Sequence, residues 1–115
     1  MKNLEPPDIH HLSSAAGWVE LGNLQEAKAE LALISDAERN HADVMEMRWL
    51  ICAEEKQWAD ALQIARQLIQ SAPDRCSGWL HQAYALRRVS EGGVRQAWLA
   101  LLPAFAVLNQ LSNPS

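Results

Sequence analysis

Residues 18–31 read WVELGNLQEAKAEL, and residues 52–65 read CAEEKQWADALQIA. Laid over one another at an offset of 34, they place Trp18 on Cys52, Ala27 on Ala61 and Leu31 on Ala65. Beyond their ends the same offset carries Ile34 onto Leu68 and Met45 onto Trp79. In the first stretch Gly22 accepts the left-handed backbone that closes a helix. Asn23 then offers an oxygen to cap the next helix, with Glu26 three positions on to return the bond. This is a tight turn between two helices, and the 34-residue spacing makes a helix-turn-helix pair the unit of the chain. One such pair cannot bury its own apolar stripe, so neighbouring pairs must stack.

The pattern extends in both directions. Helix formers dominate and apolar residues return at three- and four-residue intervals, the period of one helix face and not of a strand. Caps and breakers divide the chain into six helical segments, at about 8–21, 24–35, 42–55, 58–71, 76–90 and 94–111. Pro73, which lacks an amide proton, ends the fourth, and Asp74 with Ser77 offers acceptors to the exposed amides of the fifth. Gly92 and Gly93 separate the fifth from the sixth. The six segments group as three pairs.

On these residues the chain resembles the tetratricopeptide repeat family. In the first unit Ala15, Trp18, Leu21, Gly22, Ala27 and Leu31 fit its pattern, while Ser14 and Arg39 replace an apolar residue and the closing Pro. In the second, Met45, Cys52, Trp58, Ala61, Leu68 and Pro73 fit. Arg48 and Trp49 stand there for a large-then-small pair, and Lys56 for the turn Gly. In the third, Trp79, Ala83, Leu86, Ala97, Leu101 and Ala104 fit once about two extra residues near Glu91 to Gly93 are allowed, and Pro103 falls inside the last helix. The resemblance implies an all-α fold of about three tandem helix-turn-helix units, 8–41, 42–75 and 76–111, wound into a short right-handed superhelix. An N-terminal arm of residues 1–7 precedes this single domain and a tail of residues 112–115 follows it.

Composition agrees with one globular domain: 115 residues, 49% of them hydrophobic. A net charge of −4, from 14 acidic and 10 basic residues, argues against a nucleic-acid surface, which concentrates Lys and Arg. Met1 to Asp8 includes Glu5, Pro6, Pro7 and Asp8 in place of a basic stretch followed by an apolar run, so a cytoplasmic protein is expected. Cys52 and Cys76 fit neither a zinc pattern nor a disulfide framework and read as reduced, mostly buried thiols. The longest run without a charged or strongly polar side chain, Ala97 to Leu108, is shorter than the roughly twenty residues of a membrane-spanning helix.

Residue types that carry chemistry are present without the spacing chemistry needs. Adjacent His10 and His11 point to different helix faces, His41 lies at a helix start, and His81 has no ligand partner at a telling interval. Ser13 and Ser14 lie in a helical run, Cys52 sits between Ile51 and Ala53, and Gly92-Gly93 lacks the spacing of a phosphate loop. No catalytic residue, metal ligand or cofactor is therefore assigned, and a non-enzymatic protein is expected. Of five tryptophans, Trp18, Trp58 and Trp79 occupy packing positions, Trp98 lies one turn from Val94 and Leu101, and Trp49 stands where a small residue is expected.

The resemblance further implies that the first helix of each pair lines a concave groove. Its positions here are Leu12, Ala16 and Glu20; Glu46, Leu50 and Glu54; and Leu80, Tyr84 and Arg87. Some family members clamp the carboxylate end of chaperone tails with Lys, Asn and Arg, but Leu12, Ala16, Glu46 and Met47 stand at the matching positions. The expected ligand is instead a peptide whose apolar anchors rest on Leu50, Leu80 and Tyr84. Its charges meet Glu46 and Glu54 at one end and Arg87 and Arg88 at the other.

The sixth segment carries two apolar stripes. Val94, Trp98, Leu101, Phe105 and Leu108 are expected to pack on the preceding pair, leaving Leu99, Leu102 and Ala106 outward. A solenoid normally ends in a helix with a polar outer face. Self-association through Leu99, Leu102 and Ala106 is the favoured reading, ahead of a docked partner helix or the loss of further repeats. The leading function is a protein-binding scaffold or adaptor. The alternative is a chaperone-like or regulatory holder of a secreted or membrane-bound client.

Overall fold

The structure, a computed structural model, describes residues 2–89 and 94–112. Among these residues six helices follow one another: α1 (Asp8–Glu20), α2 (Leu24–Ala32), α3 (Ala42–Glu54), α4 (Trp58–Ser71), α5 (Cys76–Val89) and α6 (Val94–Ser112). One turn of 3-10 helix, Asp36–Glu38, lies between α2 and α3, and no strand occurs among the described residues. The boundaries agree with those read from caps and breakers to within about three residues. The insertion expected at Glu91 to Gly93 lies outside the described residues.

The turns show why the boundaries fall where they do. After α1 the amide of Asn23 donates to the Trp18 carbonyl (2.9 Å) and that of Gly22 to Val19 (3.0 Å). After α3 the amide of Gln57 donates to Cys52 (2.8 Å) and that of Lys56 to Ala53 (3.0 Å). Both are Schellman-type closures that satisfy carbonyls a helix end leaves orphaned. Asn23 accepts from the Glu26 amide through its side chain at 3.1 Å, whereas Gln57 makes no such cap. Asp8 closes the first pair from the other end, accepting from the Ser35 amide and hydroxyl. Those two bonds hold its carboxyl below the ordinary range.

Consecutive helices pack on one another, α1 on α2, α3 on α4, α4 on α5 and α5 on α6, and α3 also touches α1, α2 and α5. The molecule measures 39 × 38 × 23 Å, and its thinnest dimension is that of two helix layers. The main core lies where α3, α4 and α5 meet, around Met45, Trp49, Ala61, Leu62, Ala65, Leu68 and Ala85. Among the aligned residues, Ala27 and Ala61 are both sealed, as are Ile34 and Leu68, whereas Leu31 and Trp79 are only half-buried where Ala65 and Met45 are enclosed. Gly78 lets α5 approach α4 closely, since a Cβ there would stand 3.1 Å from Ile69 Cγ1.

The first pair is held differently. Leu4, ahead of α1, is buried with Ile34 and Val44, and Leu12 and Leu31 pack against them. His41 Nε2 bonds the Lys2 carbonyl, while its Nδ1 accepts from the Asp43 amide and so caps α3. Among the described residues no helix is long and apolar enough to cross a membrane.

Candidate peptide-binding groove

α3 and α5 run side by side, and their shared face carries an aromatic cluster built around Trp49. The indole is buried, in a position where the repeat pattern asks for a small side chain. Ala42, Ala61, Ala65 and Ala85 belong to the same core, so much of it is built of small side chains. The Trp49 ring stacks on His81 at 4.0 Å and meets Tyr84 edge-on at 6.0 Å. Tyr84 is tilted against Trp58 at 5.5 Å, joining the start of α4 to the cluster.

Arg88 completes it. One turn beyond Tyr84 on α5, its guanidinium lies 5.0 Å from the Tyr84 ring centre and 5.4 Å from that of Trp58, and it donates to the Tyr84 hydroxyl at 2.9 Å. Rings on two sides restrict a long side chain that would otherwise be free, and each contact is worth about 0.5–1 kcal/mol at an exposed site. Tyr84 takes one of five N–H donors. Trp49, Leu50, Leu80 and Tyr84 form the apolar part of an open recess of about 570 Å³, with Glu54, Lys56 and Arg88 among its charged lining. The Trp49 indole N–H is buried and meets no acceptor among the described residues.

Of the residues expected in the groove, Leu50, Glu54, Leu80, Tyr84 and Arg88 are therefore brought together. Arg87 is exposed but does not line the recess. Glu46 lies one turn earlier on α3 and is engaged within the protein. Arg75 donates to it at 2.5 Å and to Asp43 at 2.8 Å, and His81 Nε2 stands 3.8 Å away. The His81 imidazole and the Arg75 charge outweigh burial and hold the Glu46 carboxyl at about 2. Asp43 foremost, and Glu46 with it, raise Arg75 further above its usual range. On α1, Leu12 packs on the Leu4, Ile34 and Val44 cluster.

Sequence reading did not identify Arg75, Trp58 or His81 as parts of this face. Arg75 stands 34 residues after His41, and both immediately precede the first helix of a pair, so the repeat held a signal for it. The four-residue interval between Tyr84 and Arg88 was likewise a readable signal. The Trp58 contact joins residues 30 positions apart and had no local sign.

Elsewhere, a second cleft of about 680 Å³ lies among α2, α3 and α4, with Leu31, Ile51 and Ile64 in its wall and Lys28, Arg39 and Arg48 among its cations. Lys28 and Glu55, both on its lining, form an ion pair at 2.5 Å. Burial raises the Cys52 thiol, reinforced by the Asp60 and Glu55 charges, so less of it is the reactive thiolate. His11 pairs with Glu30 at 2.9 Å across α1 and α2. No three His, Cys, Asp or Glu side chains gather as a metal-ligand set among the described residues.

The last helix corrects one expectation. Trp98, Phe105 and Leu108, assigned to the packed stripe, are 61%, 50% and 47% exposed, together with Leu99 and Leu102. It is the small Ala104 that is buried, its carbonyl 3.9 Å from the Cys76 thiol. α6 thus meets α5 at Ala104, with Leu101 and Val107 half-buried, and turns Trp98, Leu99, Leu102, Phe105 and Leu108 outward. Compared with known proteins, the chain matches no family profile, no curated sequence and no solved structure.

Proposed function

We propose that this chain is a non-enzymatic protein-binding scaffold or adaptor, built as three tandem units of the tetratricopeptide kind, whose groove takes an extended peptide. Supporting the repeat are the equivalent turns at Gly22 and Lys56 and the shared burial of Ala27 with Ala61 and of Ile34 with Leu68. The observation that carries the binding reading is Arg88, braced between Trp58 and Tyr84 at the rim of an apolar recess. A guanidinium held in this way meets a carboxylate with little further loss of freedom, while Leu50 and Leu80 offer area for an apolar side chain. The ligand chemistry is an apolar or aromatic residue next to an acidic side chain or a chain-terminal carboxylate. With Glu46 paired to Arg75, the charges on the recess lining that face a peptide are Glu54, Lys56 and Arg88. We place this activity in the cytoplasm.

Selection from a phage-displayed random peptide library against the whole chain tests the reading. Enriched peptides are expected to share an apolar residue beside a carboxylate, and Arg88→Glu is expected to abolish their binding. No enrichment, or binding indifferent to Arg88→Glu and Tyr84→Ala, would overturn it.

A further inference from the structure

The outward face of α6 is unlike the rest of the surface. Trp98, Leu99, Leu102, Phe105 and Leu108 are all about half exposed or more. Together they present on the order of 500 Å² of apolar side chain, at the upper end of what a monomer leaves in one patch. From Gln96 to Ser115 the chain has no Asp, Glu, Lys, Arg or His, although 21% of all its residues are Asp, Glu, Lys or Arg.

We propose that a second copy of this chain covers this face, making α6 the seam of a two-fold dimer. Three observations select a copy of the same chain over a different partner. The face bears no charge, so apposing it to itself desolvates none and sets no like charges together. Two such faces bury on the order of 1,000 Å², which with flanking residues reaches the size of a specific interface. The order of side chains is also self-complementary. A two-fold axis at Leu102 runs the helices antiparallel, so residue positions facing each other add to 204. Trp98 of each copy then lies against Ala106 of the other, large on small, and Leu99 against Phe105. Leu102 meets its own copy on the axis.

Light scattering of the whole chain, from 1 to 100 μM, is expected to show a mass rising from 12.8 kDa to twice that value. Leu102→Glu, at a position 59% exposed, is expected to remain monomeric with an unchanged circular dichroism spectrum. Leu99→Ala is expected to weaken the dimer at least tenfold. Leu102→Cys, which keeps the seam apolar, is expected to cross-link to itself under mild oxidation far faster than the parent chain with only Cys52 and Cys76. A parent mass fixed at 12.8 kDa through 100 μM would overturn the proposal. So would a dimer indifferent to Leu102→Glu, or species larger than two copies. Arg88→Glu is expected to leave the dimer intact, which separates this face from the peptide groove.

Discussion

Gly22 and Lys56 stand 34 residues apart and hold the same left-handed backbone, at φ of 79° and 59°. Each closes the first helix of a pair through equivalent hydrogen bonds. Glycine holds this conformation without strain, whereas a lysine Cβ crowds the following carbonyl. Replacing Lys56 by Gly is therefore expected to stabilise the fold by about 0.5–1 kcal/mol, and Gly22→Ala to destabilise it by about 1 kcal/mol. Urea midpoints of the two variants check both signs.

The paired turns show why so much of the secondary structure was readable. Caps, glycines and Pro73 act through the backbone within four or five residues, and their identities alone place the helix ends. The face that each helix presents is a different matter. α6 has apolar residues on nearly every side, so periodicity alone does not choose which side is covered. Close packing against α5 chose Ala104 over Trp98, an outcome set by space and not by hydrophobicity. The groove divides in the same way. Leu50, Leu80 and Tyr84 followed from the repeat position, while the Glu46–Arg75 pair and the Trp58–Arg88 contact join residues about thirty apart and exist only once α3, α4 and α5 have assembled.

Gly17 and Gly78 are both helical glycines in opposite surroundings. Nothing lies within 4 Å of a Cβ built on Gly17, so Gly17→Ala is expected to stabilise by about 0.5–1 kcal/mol through helix propensity. A side chain on Gly78 runs into Ile69 on α4, and Gly78→Val is expected to destabilise by about 1–3 kcal/mol through overpacking. Thermal unfolding of the two variants should move in opposite directions.

Leu68 is fully enclosed between α4 and its neighbours, while Leu33, at the end of α2, is largely exposed. Truncating each to Ala removes the same atoms from different environments. Leu68→Ala is expected to cost about 2–5 kcal/mol, lost transfer energy plus a cavity, and Leu33→Ala less than about 0.5 kcal/mol. A similar cost at both sites in urea denaturation would contradict the core described around α3, α4 and α5.

The Asp43, Glu46 and Arg75 cluster sets a pH dependence whose sign follows from Glu46. Its carboxyl titrates at about 2 in the folded chain, against an ordinary value of 4.5. A lowered folded value means that the unfolded chain binds the proton more readily. The contribution is therefore complete above pH 4.5 and is lost as the pH falls from there towards 2. Asp8, lowered by its two bonds to Ser35, acts in the same direction. Glu46→Gln is expected to cost about 1 kcal/mol at pH 7, where it leaves Arg75 without one of its two carboxylates. The gap between this variant and the parent chain should close as the pH is lowered from 4.5 to 2. Urea midpoints of both chains across that range measure the gap directly. A gap that stayed constant would mean that Glu46 keeps its ordinary affinity for the proton, and that its charge adds nothing to the contact with His81 and Arg75.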